Sequence, residues 1–137
     1  MRSLILPAIV LAMLGLAQSP KKTDPLPSGV YEWNALEVKK TPRGERREIL
    51  NQVTKNLGNL ESHVTTLEPG FEAHDPHRHP DEELVILKEG QIEVMIEGKK
   101  KTAGPGSVFF FASNDLHGMK NIGSTRASYY VIRIVAK

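Results

Sequence analysis

Three histidines and a run of acids are packed into His74-Asp75-Pro76-His77-Arg78-His79-Pro80-Asp81-Glu82-Glu83, and a further histidine, His117, stands on a later apolar segment. In an extended chain successive side chains alternate faces, so the imidazoles of His77 and His79 point to the same side. Glu83 shares their parity, and an unbroken strand would present it there too. These are three candidate ligands of one metal site, with His117 available as the fourth. Neutral imidazole and carboxylate suit borderline divalent transition metals, so one ion of Zn, Mn, Fe, Ni or Cu per chain is expected. Three histidines and one carboxylate leave one or two positions open on an octahedral ion, which distinguishes a catalytic site from a closed structural one.

Gly70, His77-x-His79, Glu83 and Gly90 resemble the first motif of the cupin family: a glycine, His-x-His, three residues, a glutamate, six residues and a glycine. The intervals after His79 fit, whereas Gly70 lies one residue further from His77 than the pattern has it. The second cupin motif is a glycine, Pro-x-Gly, two residues, a histidine, three residues and an asparagine. It ends here as His117-Gly118-Met119-Lys120-Asn121, with Ala112-Ser113-Asn114 in place of Pro-x-Gly. Asparagine tolerates a left-handed backbone, so that turn is expected to survive the change. The resemblance covers roughly residues 58–135. It implies an all-β fold, an antiparallel double-stranded β-helix or jelly-roll barrel, with His77, His79, Glu83 and His117 as the metal ligands. Cupins include dioxygenases, decarboxylases, sugar isomerases, lyases and hydrolases, and also binding and storage proteins. The fold therefore does not choose the reaction.

Neighbouring residues are weighed against this set. Asp81 and Glu82 compete with Glu83, but parity and the interval to Gly90 both select Glu83, which turns Glu82 outwards. His74 reads as a base beside the ligands, a substitute ligand or a surface histidine. The surface reading leads, because a lone histidine before Asp75-Pro76 is unremarkable, and His74 is only a weak catalytic candidate. His63 belongs to a separate strand with a cross-strand or solvent role. Met119 and Asn121 share the parity of His117, Met119 as core and Asn121 as a hydrogen-bonding group that orients a ligand or strand. At least one ring of Phe109, Phe110 and Phe111 faces inwards. Glu93, Tyr129, Tyr130 and Arg133 are open as cavity residues.

The elements that must position these side chains read as short strands. Val30–Val38 is apolar enough for a first strand. Leu60–Leu67 stops at Pro69-Gly70, Glu83–Lys88 at Gly90, and Gln91–Glu97 alternates through Ile92, Val94 and Ile96 to Gly98. Val108–Phe111, Leu116–Ile122 and Arg126–Val135 complete an antiparallel sandwich or barrel. Residues 42–50, with Arg43, Glu45, Arg46, Arg47 and Glu48, read as a solvated connection or edge strand; an anion-binding arginine cluster is the lesser alternative. Lys99-Lys100-Lys101 reads as a solvated hairpin tip. Leu84–Leu87 and Tyr129–Ile132 are apolar on both faces, so one face needs a second layer, and a homodimer is expected.

At 137 residues, 39% hydrophobic and 25% charged with a net charge of +2, the chain is sized for one domain and carries no nucleic-acid footprint. It has no cysteine, which excludes thiolate ligands and cysteine nucleophiles. Arg2, the apolar run from Leu4 to Ala17 and the small residues Gly15 and Ala17 fit a secretory signal peptide, residues 1–17; the run is short of the ~20 residues a membrane span needs. Residues 18–30, with Pro20, Pro25 and Pro27, read as a flexible leader, and residues 31–137 as the barrel domain. The expected protein is exported to the periplasm or the outside, free of the membrane after cleavage. It is expected to be a metal-dependent enzyme acting on a small polar organic molecule. A non-catalytic module binding a small ligand or the metal itself is the alternative.

Overall fold

The computed structural model describes residues 23–137. The expected signal peptide, residues 1–17, and the beginning of the leader lie outside the described residues. Among the described residues, nine strands follow one 3₁₀ turn, Trp33–Ala35: β1 Val38–Thr41, β2 Gly44–Gln52, β3 Asn59–Leu67, β4 Glu82–Glu89, β5 Ile92–Ile96, β6 Lys99–Ala103, β7 Val108–Phe111, β8 His117–Asn121 and β9 Ala127–Val135. They form a six-stranded antiparallel sheet in the order β1-β2-β3-β9-β4-β7 and a three-stranded one in the order β6-β5-β8. This is the all-β jelly-roll barrel expected from the strand pattern.

Apolar residues on alternate positions explain how the sheets close on each other. Leu67, Val85, Leu87, Phe111 and Tyr129 from the large sheet pack with Ile92, Val94 and Met119 from the small one, all at most 8% exposed. The inward residues change character along each strand. On β4 they run Glu83, Val85, Leu87; on β9, in the opposite direction, Arg133, Val131, Tyr129; on β3, Glu61, His63, Thr65, Leu67. Register aligns Glu83 with Arg133 and Arg133 with Glu61, so the polar ends lie side by side. One end of the barrel is thus an apolar plug and the other a polar cavity.

Three expectations need correction. Val30–Val38 does not form the first strand: pairing starts at Val38, and Trp33 instead lies across the outside of the barrel. Its ring is flanked by Arg47 at 4.3 Å and Lys88 at 4.6 Å, and its carbonyl accepts from Arg47 Nη1 at 3.0 Å. Two cations over one indole hold it there as a cover. Residues 42–50 are not a solvated edge, because β2 lies between β1 and β3 and turns Arg46 and Glu48 inwards. Lys99–Lys101 lies within β6, exposed, with only the preceding Glu97-Gly98 forming the turn. In the described part of the leader, Leu26 N–H donates to Val53 O at 2.8 Å and Asp24 O accepts from Gln52 Nε2 at 2.7 Å.

Candidate metal centre

The histidines are assembled by the backbone. Residues 70–77 run beside β8 as an extra partner: Gly70 N–H donates to Asn121 O, Asn121 N–H donates to Phe71 O, and His77 and His117 exchange backbone bonds of 3.0 and 3.1 Å. Gly118 permits this approach, since a Cβ there would stand 3.1 Å from Pro76 Cγ. The exchange sets the imidazoles of His77 and His117 4.8 Å apart, centre to centre, and His79 stands 5.3 and 4.9 Å from them. The chain from His77 to Glu83 is not the unbroken strand expected. Pro76 and Pro80 lack the N–H a ladder requires, and β4 begins only at Glu82. Glu83 still arrives on the inner face, 6% exposed, with Oε2 3.2 Å from His79 Nε2, while Glu82 faces out.

The hydrogen bonds leave the lone pairs pointing inwards. His117 Nδ1 lies 2.8 Å from Asp115 O and His79 Nδ1 lies 3.0 Å from Asp81 O. A carbonyl can only accept, so each Nδ1 carries a proton, and in the neutral ring Nε2 is the nitrogen that keeps a lone pair. His117 is 1% exposed, and its Nε2 is buried without a partner among the described residues, as is Nδ1 of His77. Burial first, then the imidazoles of His74, His117 and His79, hold His77 down at about 4, neutral at physiological pH. His79 Nε2 faces the Glu83 carboxylate, so a neutral His79 sets two acceptors against each other, an arrangement a shared cation suits. One ring nitrogen from each of His77, His79 and His117 lies within 4.8 Å of the others, so these three form a group able to hold a metal ion.

Packing fixes this geometry. Phe111 stacks on His117 at 4.2 Å with an 11° tilt. Asn114, standing where the cupin motif has glycine, adopts φ 64° as expected, and its N–H donates to His79 O at 2.8 Å. Arg78 points away from the cavity and donates to Glu97 and to Asn114 O, both at 2.5 Å, tying the two histidine loops together. Asn121 is fully buried and donates to Leu67 O and Thr125 O, a structural role. His74 is exposed and sits edge-on to His77 at 4.2 Å.

The cavity of ≈380 Å³ behind the histidines has a charged wall. Arg46 bonds Glu48 at 2.6 Å and Glu61 at 2.7 Å, and its Nη1 donates to His63 Nε2 at 3.1 Å. Arginine only donates, so His63 is protonated at Nδ1 alone. Burial first and Arg46 next push His63 down to about 4. Arg133 pairs with Glu61 at 3.4 Å and with Asp81. Sequence parity alone leaves Arg133 open and makes Asp81 a rival ligand. The ion pair joining them spans 52 positions, and no local pattern reveals it. Tyr129 enters the interior, whereas Glu93 pairs with Lys100 outside the barrel.

The family model described as "Cupin domain" matches residues 63–133, just over half of the chain. The chain is a cupin. No curated protein matches its sequence. Among solved structures this cupin is similar to an RmlC-like cupin from Shewanella frigidimarina, with 19% identity and a TM-score of 0.65 over 80% of this chain and 94% of that one. KdgF from Halomonas sp. gives 17% identity and a TM-score of 0.65 over 78% and 94% of the two chains. A predicted oxalate decarboxylase from Thermotoga maritima gives 19% identity and a TM-score of 0.65 over 78% and 99%. At such identities the likeness speaks for the fold.

Proposed function

We propose that this cupin is a metal-dependent enzyme acting on a small polar organic molecule, with His77, His79, Glu83 and His117 holding one divalent transition metal, Zn, Mn, Fe, Ni or Cu. The observation that carries the reading is the set of inward lone pairs, two of them on buried nitrogens without a partner, at the edge of a cavity with a polar wall. A buried unpaired nitrogen costs about 1–3 kcal/mol, and a metal ion would relieve that cost. When bound, such an ion supplies Lewis acidity toward a carbonyl or a bound water. The chain's own part is to seat the substrate against Arg46, Glu61 and Arg133, exclude water with Phe111 and Met119, and present His74 at the rim to exchange a proton. His74→Ala then lowers turnover without removing the metal.

The rival, a non-catalytic binding module, is favoured by one observation: the wall cations Arg46 and Arg133 are already committed to carboxylates. The test is to incubate metal-loaded protein and its His77→Ala variant with small hydroxy acids, keto acids and sugar derivatives, following each by NMR. Product formed by the wild type and not by the variant supports the enzyme. Saturable binding without product across the panel supports the module.

We further propose export and dimerisation. Residues 1–17 act as a cleaved signal, so that N-terminal sequencing of protein secreted by its host starts at Gln18. The outer face of β4 and β7, where Val108 is 59% and Phe110 54% exposed, pairs with a second copy. A monomer by light scattering at micromolar concentration would overturn the dimer.

A further inference from the structure

We propose that Asp81 and Arg133 are positioning residues that hold His79 as a metal ligand and keep Glu83 available beside it, an inference resting on the metal-site reading above. His79 is oriented by a single acceptor, the Asp81 carbonyl, 3.0 Å from its Nδ1. That carbonyl belongs to the stretch between Pro80 and β4, which has no ladder bonds of its own. Asn114 N–H on His79 O and the first β4 pairing at Glu82 hold its two ends, and the Asp81 carboxylate on Arg133 Nη2, with the Asp81 side chain only 12% exposed, anchors it to the barrel from within. Arg133 is itself fixed from β9 by its register with Glu83 and by Glu61 on β3, 3.4 Å away.

The same pair has a second consequence. Arg133 occupies the position directly across from Glu83, where a guanidinium is the natural bidentate partner of a carboxylate. Its ion pairs run instead to Glu61 and Asp81. With Asp81 present the cation is drawn off Glu83, whose oxygen faces His79. Without Asp81 the guanidinium is released to compete with the metal for that carboxylate, and the His79 ring loses the anchor of its carbonyl. Glu61 carries the connection on to Arg46, so the charged cavity wall and the ligand loop form one continuous brace.

Cobalt(II) tests this, because its visible absorption reports ligand geometry independently of activity. Titrated into the full chain, the wild type should give a saturable band, and Asp81→Ala and Asp81→Asn should bind 10- to 100-fold more weakly with an altered band shape. Arg133→Lys, which keeps the charge but not the fork, should lie between. Glu93→Gln, across the barrel, should match the wild type. The isosteric Asp81→Asn serves if the alanine variant does not fold. Wild-type affinity and band shape in a folded Asp81→Asn variant would overturn the positioning role while leaving the metal site intact. A wild type that binds no cobalt would remove the metal reading and this inference with it.

Discussion

Replacing His117 by phenylalanine separates what this residue does for the fold from what it does for the metal. The ring is 1% exposed and stacked on Phe111 at 4.2 Å, and phenylalanine preserves that stack. Loss of the Nδ1–H bond to Asp115 O costs about 1 kcal/mol, and the slightly larger ring costs about 1 more. Against this, the buried Nε2 without a partner disappears, which is worth about 1–3 kcal/mol in the metal-free protein. The metal-free variant should therefore lie within about 1 kcal/mol of the wild type, roughly 4 °C in Tm for a domain of this size. His117→Ala, which leaves a hole beside Phe111, should lose about 2–4 kcal/mol. Metal present at 100 times its dissociation constant stabilises the wild type by about 2.7 kcal/mol, or roughly 10 °C. His117→Phe should gain almost none of that. Calorimetric scans in chelator and in excess zinc measure both quantities. A phenylalanine variant that melts far below the wild type in chelator, or that zinc stabilises as fully as the wild type, would refute the reasoning.

His63 gives a pH dependence of known sign. Its folded value of about 4 lies below the ordinary 6.5, so the unfolded chain takes up the proton first, and stability falls as pH drops from about 6.5 towards 4. His63→Gln should reduce that slope in urea titrations run in chelator, leaving the share of His77, which is also held at about 4; an unchanged slope would count against a buried neutral imidazole. Asn114 holds φ 64°, so Asn114→Ala should cost about 1 kcal/mol and Asn114→Gly nothing, by urea midpoint; equal midpoints for alanine and asparagine would contradict the strained turn. Gly90 has φ 86° and a Cβ there would meet Ala127 Cα at 2.5 Å, both backbone constraints. Gly90→Ala should therefore lower stability by on the order of 3 kcal/mol, and an unchanged melting temperature would be incompatible with this packing.

The local signals in the sequence carried far. The alternation in Ile92, Val94 and Ile96, and the stops at Gly90 and Gly98, gave strands that differ from the observed ones by a residue or two at their ends. The grouping of His77, His79 and His117 was legible because their spacing could be read directly, whatever path the backbone takes between them. Parity along an unbroken strand is not what turns Glu83 inwards: Pro76 and Pro80 break the strand, and Glu83 reaches the inner face on β4. Charge was the weakest guide. Arg46 and Glu48 pair with each other inside a charged stretch that looks solvated, yet the further partners of Arg46, Glu61 and His63, come from the adjacent strand. Arg133 and Asp81 meet only because β9 closes beside β4. Trp33 looked like strand because it is apolar, while the cations that hold it outside are Arg47 and Lys88.

The central claim is that His77, His79, Glu83 and His117 hold one metal ion, and metal content tests it most directly. The protein would be purified without chelator and compared, metal per chain, with a His77→Ala, His117→Ala double variant shown to be folded by circular dichroism. The account predicts close to one transition-metal ion per chain in the wild type and essentially none in the variant. A folded wild type that carries no metal and takes none up when offered zinc, manganese, iron, nickel or copper would contradict it.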